Sequence, residues 1–154
     1  MKEIKGNYSG KGRKIAVIVS NFNKVISREL LAGCIETLKK CKVEDKDIAV
    51  FWVPGAYEMP LVSSKIATSK KYDAIVCLGA VIRGETPHFE FIATSATRGL
   101  SQVALTTGIP VMFGLITAET QEQAMERAGL KQGNRGKDVA LSALELVDVL
   151  SQAK

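Results

Sequence analysis

A chain of 154 residues with 46% hydrophobic residues is long enough to bury one sizeable core and too apolar to stay disordered. Lys plus Arg number 21 against 16 for Asp plus Glu, a formal charge of +5, yet these residues are scattered. The one local group, Lys39, Lys40 and Lys42, falls at a predicted helix end where cations suit the dipole, so no basic stripe points to nucleic acid. No apolar run reaches the roughly 18–20 residues of a membrane span, and the polar opening of the chain does not read as a signal peptide. The three cysteines, Cys34, Cys41 and Cys77, show no CxxC spacing, which argues against a disulfide framework and fits a reducing cytoplasm.

Residues 14–20 form a β-branched run that reads as a strand buried on both faces. A helix stripe follows over 25–40, through Ile26, Leu30, Leu31, Cys34, Ile35 and Leu38. Residues 47–53 read as a second strand, closed by Pro54-Gly55, and 58–69 as a second helix with Pro60 in its first turn. Residues 73–82 are a third strand, in which Cys77 reads as a small buried hydrophobe. Residues 83–88 break the pattern. Helical spacing resumes over 89–107 through Ile92, Ala96, Leu100 and Val103, capped by Gly108 with Pro110 beyond. A fourth strand spans 110–117. Thr120 and Gln123 suit a capping box for a short helix to Ala128. A loop with three glycines covers 129–136. The last helix runs over 136–152 with Val139, Ala143, Val147 and Leu150 on one face.

The resulting order, β-α-β-α-β-α-β-α-α, predicts an α/β fold: a three-layer α/β/α sandwich around a four-stranded parallel sheet with right-handed crossovers. No linker or repeat divides the chain, so residues 1–154 read as one domain, with 1–13 as an N-terminal arm. Ligands of such sheets bind at the carboxyl ends of the strands, and the segments after the four strands are expected to converge on one rim.

Those segments hold the candidate residues. Phe22, in a polar loop, is either a ring for stacking on a planar heterocycle or a hydrophobic staple onto the next helix. Glu58 is either a helix-terminal charge or a carboxylate for a polyol. Gly84, Glu85 and Thr86 precede a helix, where free N–H groups suit an anion; the Glu85 side chain must then turn away. His88, the only histidine, is a side chain of the type suited to proton transfer but has no partners for a metal site. Arg127 sits among Glu119, Glu122 and Glu126, as an ordinary ion pair or as a phosphate clamp. Residue chemistry alone supports a small anionic or aromatic ligand at an α/β rim.

Three stretches carry a closer likeness: Trp52-Val53-Pro54-Gly55-Ala56-Tyr57-Glu58; Gly79-Ala80-Val81-Ile82-Arg83-Gly84-Glu85-Thr86-Pro87-His88-Phe89; and Glu126-Arg127-Ala128-Gly129 followed by Gly133-Asn134-Arg135-Gly136. With Phe22-Asn23 and Phe113-Gly114 in order, the chain resembles the lumazine synthases from about Asn7 to Leu150. The resemblance implies a flavodoxin-like fold and the condensation of 5-amino-6-(D-ribitylamino)uracil with 3,4-dihydroxy-2-butanone 4-phosphate. The products would be 6,7-dimethyl-8-ribityllumazine, phosphate and water.

It also implies roles. Phe22 would stack on the pyrimidine. Ala56, Tyr57 and Glu58 would hold the ribityl chain, and Ala80, Val81 and Ile82 would present backbone groups to the ring. The backbone of Glu85 and Thr86, with Arg127, would bind phosphate, and His88 would shuttle protons. Phe113 would line the ribityl side from a neighbouring chain. Arg135 stands where lysine is common in the family; the charge is kept but the donors are presented differently.

The substrate amine is itself the nucleophile, so the reaction implied needs no metal or redox cofactor. Assembly into pentamers is implied, with residues 1–8 extending onto a neighbour's sheet. The compact 129–136 turn is similar to that of members forming shells of sixty chains. Riboflavin synthase is a candidate partner; nucleic acid and membrane are not. Two other functions fit the same fold: a non-enzymatic flavin-binding or shell protein, which His88 and Arg127 argue against, and a flavodoxin-like FMN carrier.

Overall fold

The computed structural model describes residues 1–129 and 133–154. One parallel sheet contains β1 (Ile15–Ser20), β2 (Ile48–Val53), β3 (Ala74–Ile82) and β4 (Val111–Ala118). The helices are α1 (Lys24–Lys40), α2 (Met59–Thr68), α3 (His88–Thr107), α4 (Gln121–Arg127) and α5 (Arg135–Gln152). The element order matches the sequence expectation. Two short 3₁₀ turns, Asp45–Asp47 and Ala56–Glu58, are additions to it.

The layers follow from the two-residue period of the strands. All six residues of β1 are buried. Ile15, Val17 and Val19 pack into one core with Leu30 and Leu38 of α1 and Ala143 and Leu144 of α5. Ala16 and Ile18 pack into a second core with Met59 and Ile66 of α2 and Ala96 and Leu100 of α3. Helices therefore cover both faces, which explains an unbroken apolar strand. In α5 the buried face is Val139, Ala140, Ala143, Leu144 and Val147; Leu150, expected on it, is exposed near the helix end.

The helix ends use local chemistry. Gly108 caps α3 at φ +75°, a left-handed conformation that glycine adopts without strain. The Thr120 hydroxyl accepts from the Gln123 N–H at 3.1 Å. The return bond of the expected capping box lands one residue early, with Gln123 Oε1 accepting from the Glu119 N–H at 3.0 Å. In the arm, the Asn7 N–H donates to Asp148 Oδ2 at 3.0 Å and Gln152 Nε2 donates to the Lys5 carbonyl at 3.1 Å, so residues 5–7 lie along α5 of their own chain. Among the described residues no helix is long and apolar enough to cross a membrane. The residues 130–132 of the glycine-containing loop lie outside the described residues.

The strand order is β2-β1-β3-β4. The chain moves outward from β1 to β2, then returns to the other side of β1 for β3. The reversal opens a crevice between the carboxyl ends of β1 and β3. There β3 outruns its neighbour: pairing with β1 ends at Val19–Leu78, whereas pairing with β4 continues to Ile82–Ala118. The edge of β3 facing β1 is thus left open over residues 79–82.

Candidate active site

A cleft of about 520 Å³ occupies this crevice. Its first wall comes from the turn after β1. The Asn21 and Phe22 N–H groups donate to the carbonyls of Val53 and Pro54 at 2.8 and 3.2 Å, tying the turn to the end of β2. The Phe22 ring is 69% exposed and lies over Gly55, where an added Cβ would come within 2.8 Å of it. A staple would need an apolar side chain at the fourth residue of α1. That residue is Ser27, whose hydroxyl donates to the Phe22 carbonyl at 3.3 Å. The ring is therefore free to face a ligand.

Asn23 is the second residue of this wall. Its backbone is left-handed at φ 56°, an uncommon state for a residue other than glycine. Its side chain does not cap α1; Nδ2 donates to the Ala80 carbonyl at 3.1 Å. This single bond ties the β1 turn to the open edge of β3. That edge supplies the floor, through Ala80, Val81 and Ile82.

After β2, Ala56, Tyr57 and Glu58 form a 3₁₀ turn rather than the start of α2, and all three line the cleft. The Glu58 carboxylate lies beside Gly55, where a Cβ would stand 3.4 Å from Oε2. Position and polarity suit it to accept hydrogen bonds from hydroxyl groups.

The segment after β3 closes the cleft. Gly84, Thr86 and His88 line it, whereas Glu85 is exposed and does not. This is the disposition an anion site there requires. Among the described residues no protein group accepts from the N–H groups of Gly84, Glu85 or Thr86, and these amides precede a helix of 20 residues. His88 is the first residue of α3, one position earlier than the helical spacing suggests; its N–H donates to Thr86 Oγ1 at 3.4 Å, a local turn that starts the helix. The imidazole is exposed to the cleft.

The fourth segment does not join this rim. Phe113 is the third residue of β4, paired with Cys77, and so lies well short of the strand's carboxyl end. With Thr117, Arg127 and Arg135 it lines a separate cleft of about 650 Å³ that shares no lining residue with the first. β4 is an edge strand and α4 packs on it, which carries these residues away from the β1–β3 crevice. The expected single rim is therefore two surfaces. Arg127 Nη1 donates to the Thr117 carbonyl at 2.9 Å, and Glu119, read as its neighbour, instead pairs with Arg83 at 2.7 Å.

Asn23, Gly55, Phe89 and Ile92 also line the first cleft, although the sequence reading assigned them no role. Arg83 supports this side. Its guanidinium lies 4.9 Å from the centre of the Phe89 ring and bonds Glu90 at 3.2 Å. Cys34 and Cys77 are buried, and desolvation pushes each thiol up to about 12, so neither serves as a nucleophile at neutral pH. Among the described residues no three His, Cys, Asp or Glu side chains stand together as metal ligands.

A doubly wound α/β domain with an aromatic ring, an open strand edge, a histidine and free amides around its switch point is built to hold a polar, planar small molecule. The chain belongs to the 6,7-dimethyl-8-ribityllumazine synthase family, whose model matches residues 12–151. It is accordingly a transferase of riboflavin biosynthesis, and the resemblance carried by its motifs is borne out.

Proposed function

We propose that this chain condenses 5-amino-6-(D-ribitylamino)uracil with 3,4-dihydroxy-2-butanone 4-phosphate to give 6,7-dimethyl-8-ribityllumazine, phosphate and two waters. The observation that carries this reading is the pairing of the Phe22 ring with the open β3 edge across one cleft. The pyrimidine stacks on Phe22 and bonds the backbone of Ala80, Val81 and Ile82. The ribityl chain runs over Ala56 and Tyr57 to the Glu58 carboxylate. The phosphate is bound by the amides of Glu85 and Thr86 and by Arg127.

The pyrimidine amine attacks the ketone, water leaves to form an imine, phosphate is expelled, and ring closure releases the second water. His88 serves the recurring proton transfers. Holding both substrates in one geometry supplies much of the rate. No step calls on a metal or redox cofactor.

The separation of the two clefts supports a site shared between chains, with Phe113 and Arg127 supplied by a neighbour. The chain also exposes Leu61 of α2 and Phe91 and Leu105 of α3 at 70, 68 and 81%, apolar area that a ring of subunits would cover. The assembly proposed is a cytoplasmic pentamer, built further into a shell of sixty chains, with residues 1–8 reaching a neighbour's sheet. Riboflavin synthase is its candidate protein partner; nucleic acid and membrane are not partners. Mixing both substrates with the protein tests the reaction: lumazine fluorescence should appear together with free phosphate. Bound flavin colour without lumazine formation would identify a carrier instead.

A further inference from the structure

Asn134 is a buried polar side chain with every hydrogen-bonding position used. Its Oδ1 accepts from the N–H groups of Gly136 and Lys137 at 2.7 and 3.3 Å, which caps α5. Its Nδ2 donates to the Glu29 carbonyl of α1 at 3.0 Å and to the Ala128 carbonyl, just past α4, at 2.9 Å. Capping alone would be served by Ser, Thr or Asp, none of which supplies the two donors. The residue is an amide because of what those donors hold. Together with the backbone bridge between Ala128 and Asn134, they close the base of the turn joining α4 to α5 and anchor it to α1.

The two residues that flank this closure are Arg127, immediately before Ala128, and Arg135, immediately after Asn134. Both line the second cleft. Helix α1 makes room for the amide at Gly33, where an added Cβ would stand 2.6 Å from its Cγ, Oδ1 and Nδ2.

We infer that Asn134 is a positioning residue for the phosphate-bearing substrate: it sets the backbone at 127–128 against that at 134–135, so that Arg127 and Arg135 approach one anion. The inference rests on the phosphate role proposed for Arg127 and extends it to Arg135 and to the amide between them. Long cationic side chains lose freedom when they converge on an anion, and a fixed backbone reduces what remains to be ordered.

Two variants perturb the amide from opposite sides. Asn134→Ser keeps a capping oxygen and removes both long-range donors. Gly33→Ala pushes on the amide from α1, a strain partly offset because alanine, the best helix former, replaces glycine in a helix interior. Each should raise the KM for the sugar phosphate about tenfold, and weaken competitive inhibition by inorganic phosphate by a similar factor. The KM for the pyrimidine should stay within about twofold. In an Arg127→Ala/Arg135→Ala background, Asn134→Ser should add less than about twofold.

An equal rise in both KM values, or no change in either, overturns the role of Asn134. If Asn134→Ser does not fold, Gly33→Ala decides by the same criteria. Arg127→Ala on its own separates the two levels. Should it leave the sugar-phosphate KM unchanged, the phosphate reading of Arg127 fails first. Should it raise that KM while both amide variants do not, only the present inference fails.

Discussion

His88 owes its place to two local facts: the Thr86 hydroxyl starts α3 under it, and β3 ends close enough for the helix start to close the cleft. In the proposed reaction the substrate brings its own nucleophile, and the imidazole is a helper. His88→Ala should lower kcat by about 10²–10⁴-fold while leaving measurable turnover, since water can carry part of the proton traffic. An unchanged steady-state rate would return His88 to a structural role. The cysteines give a second test at this scale. With burial pushing both thiols up to about 12, Cys34 and Cys77 hold very little thiolate at pH 8. Cys41 is only half-buried. Mass spectrometry after brief maleimide treatment should find Cys41 labelled and the other two intact; rapid labelling of Cys77 would mean that the second core opens readily. The burial of Cys77 was legible from its apolar run. The role of Asn23 was not: a left-handed residue whose amide spans 57 positions to Ala80 leaves no periodic trace in the sequence.

Periodicity carried most of the information about elements, because both helix layers bury a single stripe and the central strands bury both faces. Apart from Leu150, expected on the buried face of α5 but exposed, it misplaced only ends, where local hydrogen bonds decide. Glu58 finishes a 3₁₀ turn before α2, and His88 starts α3, since each boundary depends on a turn rather than on apolar spacing. The short helix α4 is the element most dependent on such bonds, having one buried residue, Ala124, and a Thr120 cap. Thr120→Ala should cost about 1 kcal/mol of local stability. By hydrogen exchange the amides of residues 121–127 should then exchange about fivefold faster, with the sheet unaffected. Uniform exchange rates in variant and parent would show that packing on β4, and not the cap, holds α4.

At the scale of the whole molecule, the motifs marked residues that line the two clefts but not their division between two surfaces. Strand succession says that β4 follows α3; it does not say that Phe113 sits at the start of an edge strand and faces another cleft. The structure makes that division a prediction about assembly. If Phe22, Glu58 and His88 of one chain meet Phe113 and Arg127 of the next, each site forms at a heterologous ring interface, where two different patches meet repeatedly. Assayed at limiting sugar phosphate, Phe22→Asp and Arg127→Ala should each retain little activity when assembled alone. Dissociated, mixed in equal amounts and co-refolded, they should form interfaces at random. Each half-site is intact with a chance of about one half, so roughly a quarter of interfaces hold both residues intact. Under those conditions activity should return to about a quarter of the parent's, while the same proteins mixed without dissociation stay at the level of the separate variants. Light scattering on the refolded sample verifies that pentamers or larger shells have formed before the assay. If both residues served one chain, every site would carry one lesion or the other, and co-assembled material without recovered activity would exclude a shared site.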